Sequence, residues 1–310
     1  MKGSDPIRDL MCGRPSRRWN DILLVMLHAY IDDSFTQANL ADSSKTGRRL
    51  YLAGYVGDAN SWMDFQESWD DVLQRHPPIE YFKMSEAHAQ RKQFENIPKP
   101  LRDQKLHEFA DVIRASPIFG VHVSVDIDEY KKRVAPYAPY PMQSEYFPLF
   151  FRLIHMVLEK VSQLGERKTV DFIFDSSEDL PYKILPSFNA MMWSFPESWK
   201  QLLVGLPKFE NDIGLPPLQA ADMLAWHIRR KYEGNYPSEY QGIIAKIILN
   251  NPHYFYHFDN DKLDDLAAAV SDIPMNRLID KSVWKDMIGM DQDIWQEMIE
   301  RAHKKDAEPD

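Results

Sequence analysis

The chain has 310 residues, a formal net charge of −10 at pH 7 and 44% hydrophobic residues, a composition typical of globular proteins. Its single cysteine, Cys12, excludes an intramolecular disulfide and leads us to expect a cytoplasmic protein. No apolar stretch approaches the roughly 20 residues that a membrane-spanning helix needs, so we expect no membrane association.

The N-terminal part of the chain predicts a pair of strands. Residues 1–20 precede the first apolar run and are predicted to form a disordered extension. The apolar runs at 23–32 and 50–56 are typical of buried strands. Because the linker between them is rich in Ser, Asn, Asp and Gly and shows no helical spacing, we expect the two strands to pair antiparallel.

Helices and strands alternate in the middle of the chain. Apolar residues at helical spacing predict helices at 61–76, 98–115, 143–164 and 180–192. Apolar runs predict further strands at 79–83, 118–126, 170–175 and 202–206. Strands covered by helices on both faces are typical of an α/β layer architecture.

The C-terminal part predicts helices only. Pro216 and Pro217 follow a predicted loop and open a helix over 218–231, because proline is favoured in the first helical turn. Residues 237–303 show helical spacing throughout. We therefore predict a helical C-terminal extension over 236–310.

Three aspartates stand near the ends of predicted elements. Asp32 ends the first strand, Asp175 ends a later strand, and Asp222 lies one turn into the helix that Pro216 opens. Ligands of α/β sheets gather beyond the strand ends, so these three carboxylates can converge there. Each also has a structural interpretation, because Asp favours turns after strands and the first turns of helices.

A metal ion would explain a cluster of this kind. Clustered carboxylates repel one another and are costly to bury, and a divalent cation offsets that cost. Oxygen ligands favour hard ions, which predicts Mg²⁺ or Mn²⁺ bound by Asp32, Asp175 and Asp222. Such ions can activate a water molecule and stabilise the leaving oxygen of a phosphodiester.

Three short motifs carry a resemblance to a known family. The chain has Asp-Asp-Ser-Phe at 32–35, Phe-Ile-Phe-Asp at 172–175 and Leu-Gln-Ala-Ala-Asp at 218–222. They resemble the signature of the bacterial domain-of-unknown-function family 3800, a first strand ending Asp-Glu-Ser-Gly, a middle strand ending in Asp, and a late Leu-Gln-x-Ala-Asp helix. The late motif matches fully, whereas Asp33 replaces the usual Glu and Phe35 the usual Gly.

The resemblance covers about 26–232 and implies a fold and a set of site residues. The family is placed in the ribonuclease-H-like superfamily, nearest in style to Holliday-junction resolvases. This implies a ribonuclease-H-like domain at 21–235, with a mixed five-stranded sheet, helices on both faces and an acidic metal site at one sheet edge. It makes Asp32, Asp175 and Asp222 the catalytic ligands of Mg²⁺ or Mn²⁺. The implied auxiliary residues are Asp33, Gln219, Asp212 and Lys83.

Two functions remain open from the sequence. The first is a metal-dependent nuclease that hydrolyses phosphodiester bonds in a nucleic acid, with Lys83 contacting phosphate; an ordinary exposed lysine is the alternative for that residue. The second is a non-catalytic scaffold of mobile-element or phage-defence systems. Its acidic helical tail would bind a protein partner, with Trp284 and Trp295 as candidate contacts. A basic rim around the acidic site would favour the nuclease.

Overall fold

Strands and helices alternate along most of the chain. The computed structural model describes residues 26–35, 47–138, 142–163, 168–176, 195–234, 236–249 and 251–271, with Leu185, Phe188 and Met192. The strands are β1 (Met26–Phe35), β2 (Arg49–Asp58), β3 (Phe119–Asp126), β4 (Thr169–Asp175), β5 (Lys208–Glu210) and β6 (His253–Phe258). The α-helices are α1 (Ala59–Gln74), α2 (Met84–Ala89), α3 (Lys99–Ala115), α4 (Ile127–Arg133), α5 (Tyr146–Gln163), α6 (Glu197–Lys200), α7 (Pro216–Tyr232), α8 (Gln241–Ile244) and α9 (Asn260–Ser271).

The strands form one mixed sheet in the order β5-β4-β1-β2-β3-β6. β2 runs antiparallel to both β1 and β3, whereas β4, β5 and β6 pair parallel with β1, β4 and β3 respectively. All strands except β2 therefore point the same way, and their carboxyl ends share one edge of the sheet. The predicted α/β architecture with flanking helices is confirmed.

Each face of the sheet carries its own hydrophobic core. Successive residues of a strand point to opposite faces, so β1 places Tyr30 in one core and Ile31 in the other. On the Tyr30 face, the buried helix α7 lies across β1 and β2, with α1 and α3 beside it. The opposite face is covered by α5, which packs against β2 and β3. We call these the α7 face and the α5 face.

Small residues allow α7 to lie close to the sheet. Ala220, Ala221 and Ala225 are at most 1% exposed. The whole segment Pro216–Ile228 is buried, so this helix passes through the core and its polar residues are buried with it. Polar side chains in such a position require partners inside the protein.

Two predicted strands are wrong, and a short strand beside one of them was missed. Segment 79–83 joins α1 to α2 without entering the sheet, because the amide of Phe82 donates to the side chain of Gln219. Segment 202–206 contributes only a bridge between Leu203 and Val170. The strand at this edge is β5, within the predicted loop 207–217.

The C-terminal region is not wholly helical, and the sheet has six strands, where five were expected. Residues 253–258 form β6, which pairs with β3 along its length. The aromatic and histidine side chains of this segment alternate between the two faces of the sheet. A strand therefore lets both sets of side chains pack, one set on each face. The predicted N-terminal extension at 1–20, residues 272–310 with Trp284 and Trp295, and most of the helix predicted at 180–192 lie outside the described residues.

No helix among the described residues is long and apolar enough to cross a membrane.

Candidate active site

The carboxyl ends of three neighbouring strands bring acidic residues to one edge of the sheet. Asp32 lies in the last part of β1, Asp175 ends β4, and β5 leads directly into the 3₁₀ turn Asp212–Gly214. Asp32 and Asp175 share strand parity with Tyr30 and Ile173, which places both on the α7 face. The parallel pairing of β1, β4 and β5 therefore brings Asp32 and Asp175 to the same edge and the same face of the sheet.

Helix α7 adds the third predicted acid to this group. Asp222 lies on the second turn of α7 and is 9% exposed, while Asp32 is 5% exposed. Asp222 Oδ2 accepts a hydrogen bond of 2.6 Å from the backbone amide of Met84. That bond joins α7 to the start of α2, and thus to the residue before it, Lys83.

Lys83 lies among the carboxylates. Its Nζ is 2.5 Å from Asp212 Oδ2 and 3.3 Å from Asp175 Oδ2. The Lys83 side chain is 28% exposed and that of Asp212 9%, so the ion pair is largely removed from water. Lys83 is therefore not an ordinary exposed lysine, because it pairs with two aspartates; its contact with phosphate stays a prediction.

Gln219 ties the segments of the site together. Its Oε1 accepts from Trp69 Nε1 at 2.9 Å and from the amide of Phe82 at 3.1 Å. Its Nε2 donates to the carbonyl oxygens of Asp212 and Ile213. Gln219 is fully buried and uses its whole hydrogen-bonding capacity on structure. It is a positioning residue that holds the segments carrying Lys83 and Asp212 against α7.

Burial has the largest effect on the electrostatics of the cluster. Burial raises the pKa of Asp32 well above its usual range, and Asp222, Asp33 and Asp175 raise it further against the opposing effect of Lys83. Burial also raises the pKa of Asp222 to about 6 and raises the pKa of Asp175, again opposed by Lys83. The protonated form of each of these three carboxyl groups is thus favoured more than in water, and Lys83 only partly offsets that effect.

The carboxylates in turn stabilise the protonated form of Lys83. Burial acts to lower the pKa of Lys83, but Asp222, Asp32, Asp175 and Asp212 together outweigh it and raise that pKa. Lys83 therefore stays protonated, and the carboxylates around it interact as one group.

Asp33 lies on the other face of the sheet from Asp32. Its Oδ2 accepts a hydrogen bond of 2.9 Å from the hydroxyl of Tyr146, which begins α5. Adjacent strand residues alternate in direction, so the two neighbouring acids cannot point into the same pocket. Asp33 still adds to the negative potential that raises the pKa of Asp32.

The donor chemistry suits a hard divalent cation, but the present arrangement is built around an ammonium group. Among the described residues, no group of three or more His, Cys, Asp or Glu is arranged so that it could hold a metal ion. The side chains of Asp32, Asp175 and Asp222 are oxygen donors with surplus negative charge, which is what Mg²⁺ or Mn²⁺ requires. Metal ligation by these residues stays a prediction.

Arg229 belongs to the surroundings of the site, although sequence reasoning did not assign it there. Its Nε donates to Ser34 Oγ at 2.8 Å, two residues beyond Asp32 on β1. Arg229 follows Asp222 by seven residues, which is two helical turns, so both face β1. That spacing was the available signal. Tyr146 had no such signal, because its contact with Asp33 depends on tertiary packing alone.

A scan against protein-family models finds no match for this chain, and a search of curated proteins finds no significant match. The family resemblance therefore rests on the three motifs and stays a prediction.

Proposed function

We propose that this protein is a metal-dependent nuclease with a ribonuclease-H-like fold. The observation that carries the proposal is the grouping of Asp32, Asp175 and Asp222, from two strands and a helix distant in sequence, around Lys83. Burial raises their pKa values, and neighbouring carboxylates add to that effect against Lys83; pKa values perturbed in this way are common at functional sites. The continuous sheet β5-β4-β1-β2-β3 agrees with the five-stranded sheet that the resemblance implies, with β6 added at one edge.

The residues of the chain have distinct tasks in this proposal. Asp32, Asp175 and Asp222 would hold Mg²⁺ or Mn²⁺, and the bound ion would supply an activated water for phosphodiester hydrolysis. Lys83 would compensate the carboxylate charge and orient Asp175. Gln219 would keep the segments of the site in register.

Cleavage assays with full-length protein test the proposal. Single-stranded, duplex and branched DNA and RNA are incubated with Mg²⁺ or Mn²⁺, and with chelator as reference. We expect metal-dependent cleavage in the wild type and none in Asp32→Asn or Asp222→Asn. Both substitutions keep an oxygen acceptor and nearly the same volume, so the fold is expected to persist.

The matched control is Asp64→Asn, on the exposed side of α1, which should cleave like the wild type. Circular dichroism establishes that each variant is folded. Cleavage that survives in both Asp32→Asn and Asp222→Asn would rule the mechanism out.

The second candidate is a non-catalytic scaffold of the same fold. It is favoured by the ion pairs of Lys83 with Asp175 and Asp212, which neutralise part of the cluster without a metal. For this function we expect neither cleavage nor a rise in melting temperature on addition of Mn²⁺. A Mn²⁺-dependent rise that Asp32→Asn removes would contradict it.

A further inference from the structure

A group of partly exposed aromatic rings lies on the α7 face, at the sheet edge formed by β6. Phe255 is 61% exposed and Tyr232, at the end of α7, is 43% exposed. The ring of His257 lies 5.4 Å from Phe255 and 4.6 Å from Tyr232, measured between centroids. We call Tyr232, Phe255 and His257 the aromatic platform.

Hydrogen bonds and ring stacking hold the side chains of the aromatic platform in place. His257 Nδ1 is 2.6 Å from Ser124 Oγ, and its Nε2 hydrogen-bonds with the Tyr232 hydroxyl. Phe255 stacks on the buried ring of His122, with centroids 5.4 Å apart and an angle of 12° between the planes. Rigid aromatic surfaces of this kind lose little conformational entropy when a flat ligand stacks on them.

A chain of contacting residues connects the aromatic platform to the candidate active site. Ser34, two residues beyond Asp32, pairs across the sheet with Tyr51 and accepts a hydrogen bond from Arg229. Tyr51 in turn stacks against Tyr232, with centroids 6.1 Å apart. Three interstrand spacings separate β1 from β6, so the platform lies about 14 Å across the sheet from Asp32.

Basic side chains flank the platform. Arg49 and Lys262 lie close enough to contribute, after burial, to lowering the pKa of His257 to about 4. Lys231 is exposed, on the turn of α7 next to Tyr232. The acidic neighbours are partly neutralised: Asp259 pairs with Lys262 at 2.6 Å, and the Glu233 carboxylate with Arg229 at 3.0 Å.

An acidic cavity adjoins this basic surface at Arg49. Arg49 also lines a cavity of about 520 Å³, together with the acidic residues Asp126, Glu129, Asp259 and Asp261. These carboxylates would repel phosphate. A polyanion is therefore favoured only along the surface between the platform and the candidate active site.

We propose that an unpaired stretch of nucleic acid binds along this surface, with bases stacked on Phe255 and Tyr232 and its backbone beside Arg49 and Lys231. The proposal rests on the proposed nuclease function and names its substrate class, a nucleic acid with a single-stranded segment. Unpaired bases expose their π-faces to aromatic side chains, whereas a duplex hides them.

Equilibrium binding of full-length protein tests the proposal without cleavage. Fluorescence anisotropy is measured in chelator with labelled oligothymidylate, oligouridylate and a DNA duplex of equal length. We expect at least one of the single strands to bind more tightly than the duplex. Phe255→Ala should weaken that binding roughly 5- to 150-fold, the range for loss of one base–aromatic stack, and Phe255→Trp should preserve it.

Two further variants separate stacking from charge and from general effects. Lys231→Gln should reduce the slope of log affinity against log salt by about 0.7, the value for one phosphate contact on a single strand. Val204→Ala, a partly exposed apolar residue near the β4–β5 edge, should bind like the wild type. Lys231→Gln also tests the proposal if Phe255→Ala fails to fold.

Two results would overturn the inference. One is equal affinity of wild type and Phe255→Ala for single strands, or no preference for single strands over duplex. The other is a self-association, seen by analytical ultracentrifugation, that Phe255→Ala abolishes while nucleic-acid binding persists, which would make the platform a protein interface.

Failure of the aromatic platform to bind nucleic acid and failure of the proposed nuclease function give different results. Asp32→Asn should retain the binding while losing cleavage. Phe255-dependent binding by a wild type that cleaves nothing would support the platform and reject the nuclease, whereas cleavage with Phe255-independent binding would do the reverse.

Discussion

Lys83 carries the positive charge that makes the carboxylate cluster tolerable in the folded protein. Its ammonium group pairs with Asp175 and Asp212, and four buried or partly buried acids raise its pKa. An ion pair of this kind adds little net stability over apolar residues, but removing one partner leaves charge buried without compensation. Removal of Lys83 should therefore destabilise the protein mainly because buried carboxylates would lose their counter-charge, and less because the ion pairs themselves would be lost.

Replacing Lys83 tests this balance. We expect Lys83→Met to lower the free energy of unfolding by about 2–3 kcal/mol in metal-free buffer, a value discounted for partial exposure. Urea denaturation with chelator present measures the change. The matched control is Lys92→Met, because Lys92 pairs with Glu86 at 2.7 Å but its side chain is 68% exposed. Its loss should leave the free energy of unfolding close to that of the wild type. Equal losses in the two variants would contradict the role of Lys83.

His28 is a buried titratable residue outside the candidate active site. It is 1% exposed, and neither ring nitrogen has a hydrogen-bond partner. Burial lowers its pKa from 6.5 to about 4, with Asp171 opposing and Lys208 reinforcing that shift. Since the unfolded chain takes up a proton more readily at this residue, His28 reduces stability as the pH falls from about 6.5 to about 4. Above that window the residue is neutral in both states and has no such effect.

Substituting His28 should therefore change the pH dependence of stability. We expect His28→Leu to unfold with a shallower loss of free energy between pH 6.5 and pH 4, by up to about 3 kcal/mol. Other buried histidines titrate in the same sense, so part of the wild-type slope will remain. Urea titrations across this pH range measure the slope. An unchanged slope would show that His28 is not kept neutral by burial.

At the scale of elements, β1 and β2 pair so closely that one position of β2 has no room for a side chain. Gly54 of β2 lies opposite Ile31 of β1. A Cβ atom at Gly54 would lie 1.9 Å from the carbonyl oxygen of Tyr30, which is backbone and cannot move aside without separating the strands. Asp32 follows directly on β1, so the same pairing positions the candidate ligand.

Gly54→Ala is expected to destabilise the protein by about 3 kcal/mol or more, because the strands must separate to admit the methyl group. The control is Gly205→Ala, where an added Cβ meets nothing within 4 Å. That change should stay within about 0.5 kcal/mol. Thermal and urea unfolding measure both. A Gly54→Ala variant as stable as Gly205→Ala would show that the two strands are not so tightly paired.

At the scale of the whole molecule, β6 joins the C-terminal region to the sheet. It pairs parallel with β3, and Phe258, Leu263 and Val270 of β6 and α9 are buried in the core of the α5 face. Without β6, the backbone of β3 would form an exposed sheet edge, which promotes aggregation. Residues 253–271 are therefore part of the folded domain, whereas the sequence pattern predicts a separate helical extension there.

Two shortened chains isolate the contribution of this region. One ends at residue 251 and the other at residue 271, so their difference is the segment that holds β6 and α9. We expect the shorter chain to be less stable by roughly 5 kcal/mol, from three buried apolar side chains, and to aggregate more readily. Differential scanning calorimetry and light scattering compare them. Equal melting temperatures would mean that β6 contributes nothing to the sheet.

The sequence by itself determined the position and type of most elements and the acids at their ends. The apolar runs located β1, β2, β3 and β4, and helical spacing located α1, α3, α5 and α7, because burial of one face leaves a local period in the chain. It also singled out Asp32, Asp175 and Asp222, since each stands near the start or the end of a predicted element. These features depend on near neighbours in sequence and are readable from it.

Only the tertiary structure decided which side chains meet. In the folded protein Asp33 bonds with Tyr146, and Lys83 pairs with Asp175 and Asp212. Gln219 bonds with the backbone of Phe82 and of Asp212. It also made residues 253–258 a strand, because β3 offered an unpaired edge beside them. The reason is the same in each case. These contacts join residues that are far apart in the chain, and the local spacing of apolar residues carries no information about which distant residue each will contact.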